Sequence, residues 1–228
     1  MITDIFRQQL RFLAFRNVNL KLNDRLPALL CYVFLITWLV GIGRYWDHPS
    51  ARSWQYAGLG SVFYIVGLST FVYLIVAPLR PRRWSYSMVL VFVGFTSLPA
   101  LLYAIPVERF VEMSAAQSIN AWFLAVVAIW RVALYVRFLW KGAGLEPLQV
   151  FVATVLPLSV IVASLAYLNL EHVIFELMAG IRPEDVSPHE GAYIIVYILG
   201  FIAYLTFPIT LGMYLFQIYR QFKPKTDE

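Results

Sequence analysis

Charge is scarce in this chain of 228 residues: only 14% are Asp, Glu, Lys or Arg, against about 25% in soluble globular domains. A disordered segment needs the opposite balance of low hydrophobicity and high charge, so disorder is excluded as a description of the whole chain. There is a single cysteine, Cys31, and it lies in an apolar run. That excludes an intramolecular disulfide and a thiolate metal site. Histidine is limited to three residues, and none has the His-Glu-x-x-His spacing of a metalloprotease. No Gly-x-Ser-x-Gly elbow occurs, and no Gly-x-x-x-x-Gly-Lys phosphate loop. Ser159, Ser164 and Thr154 have no nearby histidine at the same depth, and no apolar run carries paired carboxylates. The expectation is a protein without catalytic residues, metal or cofactor, and so not an enzyme.

Apolar residues are abundant instead: 61% are hydrophobic, 17% aromatic, and mean hydropathy is +0.70. A hydrocarbon core of ~30 Å needs about 20 mostly apolar residues in helix. Six segments meet that test, at 27–43, 57–78, 87–106, 119–140, 148–168 and 192–217. The predicted fold is therefore an all-α integral membrane protein with six transmembrane helices. It adds an N-terminal amphipathic helix at the interface and a short helix on the outer surface. In domain terms, residues 1–26 are cytoplasmic, 27–219 form the six-span region and 220–228 are a cytoplasmic tail.

Orientation follows from the basic residues of the flanks. With both termini inside, the inner side collects fourteen of the 18 Lys and Arg residues, leaving Arg44, Arg52, Arg109 and Arg182 outside. Eight of the 13 acids fall outside. Five spans would put the basic tail on the wrong face. The N-terminus lacks the short apolar core and small-residue cleavage site of a secretory signal. The location expected is the cell inner (plasma) membrane, multi-pass, with N- and C-termini cytoplasmic.

Residues 3–20 have helical spacing, with Thr3 or Asp4 to cap the start. Ile5, Phe6, Leu10, Phe12 and Leu13 form an apolar stripe, interrupted by Arg7, Gln8 and Arg11. Arg7, Arg11 and Arg16 would face anionic headgroups if the helix lay in the interface. The alternative is that it packs on the protein's own spans. At the other end, Glu171, Glu176, Glu184 and Asp185 make an acidic patch in the loop before the last span. Helical spacing over Leu170–Ala179 ends at Gly180 and Pro183. His172 and Glu176 are four residues apart, which suits a metal, but two ligands do not make a site.

Arg131 is the most unusual placement, about ten residues from Lys141 and so ~15 Å into its span. A cation at that depth is costly and is paired or faces a wet cavity. It could hold an anion or lipid headgroup, with Arg137 as a second ligand. Alternatively, it is a structural arginine that bonds backbone carbonyls freed beside a proline break. Arg137 and Lys141 also suit snorkelling to the inner interface. Pro99, Pro157 and Pro208 fall within spans and are expected to break them, since each removes a backbone donor. Gly60 and Gly67 predict a small-residue face for close helix packing. Aromatic residues at span ends, among them Trp38, Trp46, Trp54, Trp84 and Trp140, read as interfacial belts.

Between Arg82 and Ala166 the chain resembles the Ypt-interacting-protein (Yip) membrane family in its bacterial form. The similar elements are FVGFTSLPALLYAIP (Phe92–Pro106), an aromatic-rich span around Trp122, a Gly-Ala-Gly-Leu turn (Gly142–Leu145) and ATVLPLSVIV (Ala153–Val162). The family usually has five spans and a cytoplasmic N-terminal region, whereas this chain has six spans and a short N-terminal helix. The resemblance implies a membrane-embedded helical fold. Its eukaryotic members act with small GTPases in membrane traffic, but no residue here matches a GTPase-binding motif.

The leading expectation is a non-catalytic polytopic protein that acts through protein partners or lipids, as an accessory subunit or scaffold of a membrane assembly. The second is a small transporter or channel subunit for an anionic or lipid-like substrate, with Arg131 as anchor. A third, a membrane enzyme, would need an outer site from His172, Glu176 and His189. The partners implied are membrane lipids, with an integral membrane protein or a second copy of the chain; nothing points to nucleic acid.

Overall fold

A computed structural model describes residues 2–18, 22–46, 52–167 and 190–222. Among them all regular structure is helical. The helices are α1 (Ile2–Leu13), α2 (Leu22–Tyr45), α3 (Ser53–Tyr56), α4 (Leu59–Val76), α5 (Tyr86–Phe95), α6 (Met113–Arg137), α7 (Pro147–Tyr167) and α8 (Glu190–Phe222). Tighter 3-10 turns cover Ala77–Leu79, Leu98–Ala104 and Val107–Arg109, and a wider π turn covers Phe138–Gly142. Six helical segments among the described residues are long and apolar enough to cross a membrane: Arg25–Tyr45, Leu59–Leu79, Tyr86–Arg109, Ser114–Gly142, Pro147–Ser164 and Ile198–Gln221. The acidic loop with Glu171, Glu176, Glu184 and Asp185, its expected short helix and all three histidines lie outside the described residues.

The helices sort into two compact units. One takes in the chain up to Phe71 together with Ser85–Leu134; the other takes in Val72–Trp84 and the described residues from Tyr135 onward.

In the first unit, α2 packs on α5 and on the Leu98–Ala104 turn. Its core includes Leu29, Val33, Ile65, Val89, Val91, Phe95 and Leu134. The closest approach of α2 to α5 is at Gly94, where an added Cβ would meet Val33 Cγ1 at 2.0 Å. A second close approach sets Gly41 against the turn at Gly58, where a Cβ on Gly41 would lie 2.7 Å from Gly58 O. Gly58 has φ +68, a left-handed conformation that glycine adopts without steric cost. Trp38 Nε1 donates to Ala57 O at 2.7 Å and ties α2 to the same turn. The expected small-residue face, which takes in Gly58, Gly60, Ser61, Gly67 and Ser69, meets α2 at its Gly58–Ser61 end, where a Cβ on Gly41 would lie 2.9 Å from Ser61 Cβ; a Cβ on Gly67 would meet nothing within 4 Å, and Gly60 faces the Trp54 ring. Small residues allow close packing only where a partner helix runs past them, and here the partners run past Gly41 and Gly94.

α5 starts where Ser85 Oγ accepts from Met88 N at 3.2 Å, an ordinary N-cap. It ends at Phe95, with Thr96 as its C-cap, because Pro99 has no N–H to give to Phe95 O and its ring crowds that carbonyl. The third predicted span is thus ten residues of α-helix followed by a 3-10 turn.

In the second unit, α7 packs along α8. Side chains from both close off the end of α4. Tyr214 hydroxyl donates to Ile75 O at 2.7 Å, and Gln149 and Gln221 both donate to Leu79 O, at 3.4 and 2.9 Å. Leu79 O is exposed to such donors because the chain turns left-handed at Arg80, with φ 49. Trp84, expected in an interfacial belt, is a packing residue: it stacks on Tyr73 at 6.2 Å and tilts against Phe138 at 5.9 Å.

Pro157 and Pro208 do not break their helices, contrary to the expectation; α7 and α8 run through them. For Pro157 the reason is visible. A proline at 157 removes the donor that would serve Ala153 O, and Tyr135 hydroxyl donates to that oxygen at 3.0 Å. Beside Pro208, Thr206 and Thr210 hydroxyls bond back to Ile202 O and Thr206 O at 2.8 Å each.

Removing the Tyr135 hydroxyl in Tyr135→Phe should cost about 0.5–1.5 kcal/mol of stability in detergent. In a Pro157→Ala background, Ala153 O regains its helical donor, and the same change should cost close to nothing. Unfolding midpoints of the four proteins measure the difference; equal costs in both backgrounds would exclude this role for Tyr135.

Candidate functional site

The break in the third span concentrates the unusual polar chemistry of the first unit. Where α5 stops, the carbonyls of its last turn need donors other than the regular ladder. Phe92 O keeps its ladder donor, Thr96 N, at 3.2 Å. Val93 O takes Thr96 N at 3.1 Å and Thr96 Oγ1 at 2.7 Å, and Gly94 O takes Ser97 N at 3.1 Å and Ser97 Oγ at 2.7 Å. Ser97 Oγ also accepts from Thr37 Oγ1 of α2 at 3.2 Å.

The next two carbonyls are served from far away in sequence. Phe95 O, whose helical donor Pro99 removes, accepts from Gln9 Nε2 of α1 at 3.0 Å. Gln9 is fully buried, and its Oε1 accepts from Tyr32 hydroxyl of α2. Thr96 O accepts from Arg131 Nε of α6 at 2.9 Å. Arg131 therefore does what one of its two readings required: it bonds a carbonyl freed beside a proline break.

Gln9 shows how α1 is used. Ile5, Gln9 and Leu13 are buried, and Phe12 meets Phe92 and Phe95 edge-on at 5.9 and 6.0 Å. At the C-terminal end of α1, Trp130 Nε1 donates to Leu13 O at 2.9 Å. The predicted stripe is thereby divided. Ile5, Phe12 and Leu13 face the protein, whereas Phe6 and Leu10 are exposed with Ile2, alongside Arg7 and Arg11. Arg16, beyond the helix, is exposed as well.

A second arginine joins the site. Arg44, in the last turn of α2, lies over the rings of Tyr45 and Tyr103, with centroid distances of 5.7 and 5.6 Å. Its Nε is buried and has no hydrogen-bond partner. Tyr103 lies in the 3-10 turn that follows the break served by Arg131. Among the described residues neither arginine pairs with a carboxylate. Sequence reasoning missed Arg44 because a lone arginine at the end of a span reads as an interfacial flank. Arg137, the expected second ligand, follows Arg131 by six residues and lies in the last turn of α6. No group of three His, Cys, Asp or Glu that could hold a metal occurs among the described residues.

Replacing Arg131 by Leu leaves Thr96 O without its donor and should cost about 1–3 kcal/mol of stability, measured by thermal unfolding in detergent. Arg131→Lys keeps a donor and should recover most of that loss. An Arg131→Leu protein as stable as the parent would rule out the structural role.

Comparison with known proteins adds no relative: no family model, no curated protein and no solved structure matches the chain.

Proposed function

We propose that this chain is a non-catalytic, multi-pass protein of the cell inner (plasma) membrane that works by binding lipids and protein partners, as an accessory subunit or scaffold of a membrane assembly. The observation that carries the reading is the large apolar side chains left uncovered on the long helices of each unit. Phe63, Trp122, Ile129 and Ile209 are each more than 60% exposed. In water such surface would drive aggregation; in a bilayer it meets acyl chains. The basic inner flanks and acidic outer loops support six spans with both termini cytoplasmic.

α1 extends the same reading to the membrane surface. Its outward Ile2, Phe6 and Leu10 are spaced four residues apart and flanked by Arg7 and Arg11, the pattern of a helix that meets acyl chains and anionic headgroups together. A second reading, a small transporter or channel subunit for an anionic or lipid-like substrate, is favoured by one observation: the buried Nε of Arg44 bonds nothing in the protein, and neither Arg44 nor Arg131 is paired with a carboxylate among the described residues. The likeness of residues 82–166 to the Yip family belongs to the same proposal and rests on the Leu98-Pro99 and Pro157 spans.

Native mass spectrometry of the protein released gently from its own membrane tests the partner reading. A defined protein partner or a retained lipid is expected at fixed stoichiometry. A bare chain, free of both under the mildest release, would refute it.

A further inference from the structure

Three segments of the second unit bring its basic residues together. They are 79–84 after α4, 137–146 between α6 and α7, and 214–222 at the end of α8. Together they hold six Arg or Lys residues and a single acid, Glu146. Direct contacts join them. Gln149 of α7 and Gln221 of α8 both donate to Leu79 O, at 3.4 and 2.9 Å, which sets the backbone at Arg80 beside the turn of α8 that carries Arg220. Arg83 N donates to Ala143 O at 3.4 Å, and a Cβ on Gly144 would lie 3.4 Å from Arg82 Cβ. The loop 80–83 therefore runs along the turn that follows Lys141. Trp84 anchors its far end, stacked on Tyr73 with Nε1 donating to Tyr73 O at 3.3 Å.

Arg80, Arg82, Arg83, Lys141 and Arg220 are all exposed. Among the described residues, the side chains of Arg82, Arg83, Lys141 and Arg220 have no carboxylate or hydrogen-bond partner. Lys141 and Arg220 meet aromatic rings instead: Nζ of Lys141 lies 5.8 Å from the Trp140 centroid, and Cζ of Arg220 lies 6.0 Å from that of Phe216. Both rings are more than half exposed, at 57% and 58%. Arg80 has φ 49, a left-handed conformation that glycine adopts without steric cost and arginine does not. The backbone there favours glycine, and the arginine adds charge to the surface.

Cations gathered without counter-charges repel one another, and an anionic surface within a Debye length relieves that repulsion. The exposed rings decide which kind of anion fits. A soluble acidic partner would neutralise the charges and leave Trp140 and Phe216 without apolar cover, whereas a phospholipid supplies phosphate and acyl chain side by side. Charge spread over three segments also suits a patch of headgroups better than one enclosed phosphate.

We infer that Arg80, Arg82, Arg83, Lys141 and Arg220 form a collar on the second unit that holds anionic phospholipid headgroups of the inner leaflet. The inference deepens the proposed function and rests on its membrane reading, in which these basic flanks face the cytoplasm. It gives the second unit a lipid surface of its own, built from different residues than the one carried by α1.

The test uses the full chain in nanodiscs of phosphatidylcholine containing some phosphatidylglycerol, with retained lipids counted by native mass spectrometry after mild release. The parent should keep phosphatidylglycerol in preference to phosphatidylcholine, less so as salt rises. Arg82→Gln/Arg83→Gln should weaken that preference about tenfold, and Arg82→Lys/Arg83→Lys should restore most of it. Arg25→Gln/Arg52→Gln removes two exposed charges from the first unit and should retain lipid like the parent. Should the first variant fail to fold, Lys141→Gln/Arg220→Gln takes its place with the same expected loss. Equal preference in the parent and a folded collar variant, or an equal loss in the first-unit variant, would overturn the collar and leave the membrane reading intact. Binding of polyglutamate by the parent in pure phosphatidylcholine, with no phosphatidylglycerol kept, would overturn the lipid in favour of an acidic protein partner. A chain that does not enter the bilayer would overturn the membrane reading, and the collar with it.

Discussion

A backbone carbonyl cut off from its helical donor and buried away from water must find another donor, and the cost of failing is of the order of a lost hydrogen bond. Pro99 creates that situation in the third span. Phe95 O and Thr96 O are left outside the ladder, and the protein serves them with Gln9 from α1 and Arg131 from α6. Two helices far apart in sequence are thus bound to one short break. The arrangement also explains why a polar glutamine is fully buried in an otherwise apolar core: it is bonded on both sides, to Phe95 O and to Tyr32.

The second unit follows the same rule with different residues. Tyr135 serves Ala153 O beside Pro157, Tyr214 serves Ile75 O, and Gln149 and Gln221 share Leu79 O where α4 ends. The outcome depends on how completely the freed group is served. Around Pro157 one hydroxyl suffices and the helix continues. Around Pro99 the hydroxyls of Thr96 and Ser97 bond the carbonyls of the preceding turn, and the chain goes on as a 3-10 turn. Arg131 gives one nitrogen to the backbone, and Arg44 gives none from Nε.

The six apolar segments were legible in the sequence because twenty-residue apolar runs have few other uses, and each expected segment coincides with a long helical one. The position of the break was legible from Pro99. Its partners were not. Gln9 lies 86 residues from the carbonyl it serves, and nothing local separates it from Gln8. Arg131 was legible as an anomaly, because a mid-span cation always needs a reason, but its bond to Thr96 O depends on which helices pack together. Arg44 looked like an end-of-span flank. The Gly60 and Gly67 pair misled for the same reason, since spacing reveals a small face and says nothing of whether a neighbour covers it. Pro157 misled because a proline reveals the missing donor but not the hydroxyl that replaces it, and Pro208 misled because its helix runs on through it.

Gln9 binds α1 to the end of α5 because Pro99 frees Phe95 O. A double-mutant cycle on Gln9→Leu and Pro99→Ala, read as unfolding free energy in detergent, measures it without intermediaries. Gln9→Leu alone should lose on the order of 1–3 kcal/mol. The loss should be substantially smaller in the Pro99→Ala background, where the backbone N–H at position 99 is restored and can serve Phe95 O. Strict additivity of the two substitutions would contradict the dependence of one on the other.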